Sequence, residues 1–176
     1  GAGKTKTMRM LAAIMDPSEG NATIAEFDLR KQPEQIKEHI GYMAQQFSLY
    51  RDLSVDENLN FFADVFGVPN HVRKERIERL LEFARLTGFR KRRAGKLSGG
   101  MQKKLGLACT LIHEPQILYL DEPTTGLSFE DAAALLRVLQ RLVDAGNATQ
   151  VLFGDHHRSG RVNHGPVERA AKRSRE

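Results

Sequence analysis

The sequence predicts an α/β fold, a parallel sheet flanked by helices, and three observations predict it. The chain opens on GAGKT at residues 1–5, the back half of the phosphate-binding pattern G-x-x-x-x-G-K-[ST], which lies between a strand and a helix. The stretch ILYLD at 117–121 is a nearly continuous apolar run ending in an acid, the mark of a parallel strand buried on both faces. Between these two, patterns of helical period alternate with short strand patterns.

Taken in order, TMRMLAAIMDPSEG has apolar residues at helical spacing and stop signals at Pro17 and Gly20. NATIAEFDL alternates as a short strand, and HIGYMAQ reads as another. SVDENLNFFADVFG opens with a capping box, Ser54 and Glu57 three residues on, and closes at Gly67. HVRKERIERLLEFARLTG is a charged amphipathic helix with Ile77, Leu80, Leu81 and Ala84 on its inner face. LSGGMQKKLGLACTLIHEP starts a helix at Ser98 and stops before Pro115. After the strand at 117–121, Ser128 caps FEDAAALLRVLQRLVDAG, which Gly146 and Asn147 close, and TQVLFG reads as one more strand. Periodicity ends beyond residue 156, so 157–176 reads as a disordered basic tail. The expected organisation is one domain over 1–156, with no repeat and no linker dividing it.

Composition narrows the function classes. At 176 residues, 40% hydrophobic and 28% charged, the chain has the profile of a globular domain with a substantial core. No apolar run reaches the roughly 18 residues needed to cross a bilayer, so direct membrane insertion is not expected. The single cysteine, Cys109, excludes an internal disulfide and a multi-cysteine zinc site. The net charge is +5, but six Arg/Lys against two Glu from residue 157 onward supply +4 of it. The rest is nearly balanced and presents no basic face for nucleic acid. His156, His157 and His164 lie in the unpatterned end and do not make a metal site. RKERIERLLEFAR reads as a solvated helix face, RKRRAGK as an exposed turn, and His113 as a non-catalytic residue near a helix end.

Four stretches together carry chemistry. In GAGKT the backbone N–H groups and a helix N-terminus attract anions, Lys4 neutralises phosphate oxygens and the Thr5 hydroxyl can ligate magnesium. At the end of ILYLDE, Asp121 emerges where ligands of open α/β sheets bind; it suits magnesium held mostly through water, with Glu122 placed to polarise an attacking water. LSGGMQ sets Ser98, Gly99 and Gly100 at a helix start, a second anion site with close backbone approach. YMAQQFSLY ends a strand at Gln45, a neutral polar group able to sense metal or water.

These stretches, in this order and at this spacing, resemble the ATP-binding cassette ATPases, the nucleotide-binding subunits of ABC transporters. The resemblance runs from residue 1 to about 127. It implies a P-loop NTPase sheet carrying a helical subdomain over about 52–110, and magnesium-dependent hydrolysis of ATP. It assigns Gly1, Gly3, Lys4 and Thr5 to the Walker A loop, Gln45 to the Q-loop, Leu97–Gln102 to the signature and Asp121 to Walker B. Glu122 becomes the catalytic base, assisted by Gln45, which also neighbours the metal; Gln102 joins the nucleotide contacts. It further implies a head-to-tail dimer with a second such domain, each signature meeting the other's ATP.

GYMAQQFSLYRDLSVDENLNFFADVFGVP is similar to the exporter subunits of drug and polyketide transport. In those, the segment after the Q-loop docks a transmembrane subunit, which would place the protein in the cytoplasm, peripheral to the inner face of the membrane. From residue 126 the chain looks closer to the DNA-damage-recognition ATPase of bacterial excision repair, and a repair-type or inactive fragment stays as an alternative. Against the family pattern, Lys6 replaces a Thr or Ser, Ser128 replaces the D-loop Asp, and His156 sits out of register for the H-loop. The first glycine of Walker A, its strand and the adenine-stacking aromatic would fall before residue 1. That strand is expected beside the one ending at Asp121.

Overall fold

The computed structural model describes residues 2–44, 49–121 and 150–153. Among the described residues, five α-helices and five strands follow one another as α1 (Ala2–Leu11), β1 (Thr23–Ile24), β2 (Phe27–Asp28), α2 (Pro33–His39), β3 (Ile40–Met43), α3 (Val55–Val65), α4 (Asn70–Ala84), α5 (Gly99–Leu111), β4 (Ile117–Leu120) and β5 (Gln150–Phe153). The expected parallel sheet is present in the order β3-β4-β5, with Ile40 opposite Ile117 and Ile117 opposite Gln150.

All four residues of β4 are buried, and their alternation divides the interior into two. Leu118 and Leu120 join Met43 and the inner faces of α3, α4 and α5 in one cluster. Ile117 and Tyr119 face the other way and pack with Ile40, Met8 and Ala12 of the α1 region, and Ile36 of α2. This is why the strand reads as continuously apolar: successive side chains point to opposite faces, and both faces are covered.

Two helices of the first cluster, α3 and α4, follow their sequence signals. Ser54 caps α3, its hydroxyl accepting from the Glu57 amide at 3.2 Å while Glu57 accepts from the Ser54 amide at 2.7 Å. Ile77, Leu80, Leu81 and Ala84 are the buried face of α4, which Arg85 closes in the left-handed region at φ 56°. Charge joins these helices to their surroundings. Arg90 binds both oxygens of Asp56 and both of Glu78, and Arg76 and Arg79 pair with Glu114. The basic runs expected to be a solvated face and an exposed turn thus also carry ion pairs.

Four local expectations are corrected. Helix α1 ends at Leu11, short of Pro17, because Ala13 turns left-handed at φ 53° and the Ile14 amide reaches back to the Arg9 carbonyl. NATIAEFDL is a hairpin rather than one strand: Ala25 and Glu26 both take positive φ, and β1 and β2 pair antiparallel across them. Neither residue belongs to the Gly/Asn set that announces such a turn. Helix α2, with Pro33 in its first turn, is an element that the sequence reading passed over. Finally, no further strand can lie beside β4, because β3 and β5 already occupy its two edges. A strand feeding α1 would have to pair elsewhere.

Candidate active site

Helix α1 begins within GAGKT, so Gly3, Lys4 and Thr5 lie in its first turn. No acid stands in that turn, which leaves the positive end of the helix dipole uncompensated. A methyl group added at Gly3 would meet nothing within 4 Å, so the turn is open above its backbone. The Thr5 hydroxyl donates to Oδ1 of Asp121 at 3.0 Å, across 116 residues of sequence. Asp121 directly follows β4; its amide donates to the Met43 carbonyl at 2.9 Å, extending the β3–β4 ladder by one bond. Asp121 is 4% exposed, a burial that its hydrogen bonds make tolerable.

The second oxygen of that carboxylate has a partner that sequence reasoning missed. The Tyr42 hydroxyl, on β3, donates to Asp121 Oδ2 at 3.3 Å. Burial, with the Asp121 charge acting in the same direction, raises the Tyr42 pKa, so the phenol keeps its proton and remains a donor. The same phenol raises the pKa of Arg9, exposed on α1. The signal available in the sequence was weak: an aromatic inside a strand is ordinarily a packing residue.

The donor set suits magnesium. A hydroxyl and a carboxylate are hard oxygen ligands, and magnesium keeps several waters and phosphate oxygens instead of demanding an all-protein cage. Among the described residues no group of three or more His, Cys, Asp or Glu competes as a metal site.

LSGGMQ opens α5 as expected, with Ser98 as N-cap. Ser98 and Gly99 are exposed while Gly100 is buried, and a methyl at Gly99 would meet nothing within 4 Å. The polar side chains serve their own helix start: Ser98 Oγ accepts from the Met101 amide at 3.3 Å, and Gln102 Nε2 donates to the Leu97 carbonyl at 3.0 Å. Gly1, Gln45, Glu122, Ser128, His156 and the 157–176 tail lie outside the described residues, as does the Lys4 side chain. His113 is structural: its ring stacks on Phe66 at 4.0 Å and Nε2 bonds the Ile40 carbonyl, with burial lowering its pKa.

A phosphate-loop helix bonded to the acid at the end of a central parallel strand defines the class of P-loop nucleotide-binding domains. Comparison with known proteins narrows that class: the ABC transporter family profile matches residues 1–125, and the chain belongs to that family. It is 49% identical over 146 residues to the "Probable multidrug ABC transporter ATP-binding protein YbhF" of Escherichia coli strain K12, covering 83% of this chain and 25% of that protein. It is 37% identical over 157 residues to the ABC transporter ATP-binding protein NatA of Bacillus subtilis strain 168, covering 89% of this chain and 63% of NatA. The chain thus spans a quarter to under two thirds of these relatives. Among solved structures, an ATP-binding subunit of an ABC transporter superposes with a TM-score of 0.73 at 27% identity, covering 88% of this chain and 64% of that one. A dimeric ATP-binding cassette in a post-hydrolysis state with ADP and phosphate gives 0.74 at 23% identity over 89% of this chain and 71% of that one, a likeness of fold. The architecture is that of the ABC ATPase subunits, as the sequence predicted.

Proposed function

We propose that the chain is the ATP-hydrolysing part of an ABC exporter, working as one of a head-to-tail pair on the cytoplasmic face of a transmembrane subunit. The observation that carries this reading is the Thr5–Asp121 hydrogen bond. It joins the phosphate-loop helix to the acid of the central strand, the two oxygen donors that a magnesium–nucleotide site needs side by side.

In this reading the open first turn of α1 receives the phosphates on its amides, and Lys4 neutralises their charge. Thr5 and Asp121 are the residues that would hold magnesium, which when bound supplies Lewis-acid neutralisation of phosphate oxygens. Glu122, the residue after Asp121, takes up the water's proton, and Gln45 hydrogen-bonds the same water. Gly1 and Gly3 complete the cradle. The exposed Ser98–Gly99 start of α5, with Gly100 and Gln102, faces the nucleotide of the partner domain. The first relatives' names supply multidrug export for YbhF; cargo selection would belong to the membrane subunit.

A repair ATPase was the competing reading, from residues after 126. The NatA match leaves at most 19 of the 176 residues uncovered and so spans 20–157, which favours transport across that same segment. Damaged-duplex binding that falls steeply with salt would reverse the choice.

The test is nucleotide binding and turnover by the purified chain. Glu122→Gln is expected to keep affinity for a fluorescent ATP analogue in magnesium while lowering turnover about 100-fold or more. Unchanged turnover would remove Glu122 from its role, and a native chain that binds no analogue would overturn the reading.

A further inference from the structure

The proposed site uses one oxygen of Asp121 and leaves the other to Tyr42. The two bonds differ in origin. Thr5 reaches Oδ1 from α1, whereas Tyr42 reaches Oδ2 from β3, the strand hydrogen-bonded to β4 along its whole length. Arg9 lies four residues after Thr5 on α1, hence on the same helix face, and its charge acts on the Tyr42 phenol. Thr5, Asp121 and Tyr42 therefore form a hydrogen-bonded chain through three elements.

Such a chain has a mechanical consequence. A carboxylate bonded through one oxygen turns easily about its last torsion, which has a broad energy well. Were the Thr5 hydroxyl to serve a cation instead of Oδ1, Oδ2 would be the remaining side-chain anchor. We propose that Tyr42 is a positioning residue which fixes the Asp121 carboxylate through Oδ2, so that Oδ1 stays free for the metal–nucleotide site. Partners of this kind orient a ligating carboxylate without touching the metal. The chain runs from Tyr42 into Gln45 three residues later, so the same strand that anchors the acid leads to the proposed water-sensing glutamine.

The proposal rests on the magnesium–nucleotide reading, and the experiment separates the two. Tyr42→Phe keeps the ring and removes only the hydroxyl. In titrations of the chain with fluorescent ADP, the magnesium concentration at half-saturation is expected to rise about tenfold. Affinity in EDTA is expected to stay at the native value, while the Tm falls by a few degrees because the buried Asp121 Oδ2 loses its partner. An unchanged magnesium dependence in Tyr42→Phe overturns the proposal. So does an equal loss with and without magnesium, which would mark a packing role. A native chain whose ADP binding ignores magnesium fails the site reading itself.

Discussion

A methyl group on Gly41 has nowhere to go. Its Cβ would stand 2.9 Å from Thr110 Cγ2, 3.0 Å from Leu118 Cδ1 and 3.1 Å from Pro115 Cγ. Thr110 cannot turn aside freely, because its hydroxyl is bonded to the Gly106 carbonyl at 2.9 Å. Gly41→Ala is therefore expected to cost about 1–3 kcal/mol, read from urea midpoints; a change below about 0.5 kcal/mol would show that α5 yields to the strand. Its contacts lie 69 to 77 residues away in the chain, at Thr110, Pro115 and Leu118, so the requirement was invisible in HIGYMAQ. Tyr42, the next residue, was equally illegible as a partner of Asp121. Thr5 and Asp121 were legible because each stands in a motif whose spacing is local.

At the scale of elements, local chemistry was readable where it closes within a few residues. The capping box of α3 spans only Ser54 to Glu57, and it forms as written. Hydrogen bonds from Ser54 hold the Glu57 carboxyl below its ordinary range. The folded state thus binds this proton more weakly than the unfolded chain, whose carboxyl titrates near 4.5. The stabilisation is fully present above that value and is lost as pH falls through the lower folded one. Glu57→Gln is expected to flatten the acid limb of a stability–pH curve measured by urea, because Gln accepts the bond without titrating. Ser54→Ala is expected to cost about 1 kcal/mol at neutral pH. A Gln variant with the native acid limb would place the titration elsewhere. The hairpin at 23–28 and the early stop of α1 escaped because Ala25, Glu26 and Ala13 adopt positive φ without the residue types that signal it.

Across the whole molecule, β4 is the shared wall of two interiors, and α5 runs from the exposed Ser98 to a buried stretch, Leu105–Leu111, packed against β3. The start proposed to face a partner's nucleotide and the strand proposed to anchor Asp121 are thus ends of one buried beam. Leu118, 0% exposed, faces the larger interior. Leu118→Ala is expected to lower stability by about 2–5 kcal/mol. Tyr42 and Tyr119, two of the three tyrosines, lie on the opposite side. Near-UV tyrosine and far-UV helix signals should therefore fall together in the variant if the wall couples both faces. A shift of the helix signal alone would mean that the faces unfold separately.

The sequence by itself determined the α/β class, the buried strand before Asp121, the helix that begins at the glycine loop, and the family. Each of these is written in short-range chemistry: periodicity, caps, and glycine or acid spacing. The tertiary structure alone decided which strands flank β4, that Thr5 and Tyr42 divide the two oxygens of Asp121, and that Gly41 must lack a side chain. Those facts depend on which residues meet across some 70 to 116 positions of chain, and contact at that range is set by packing around a common core.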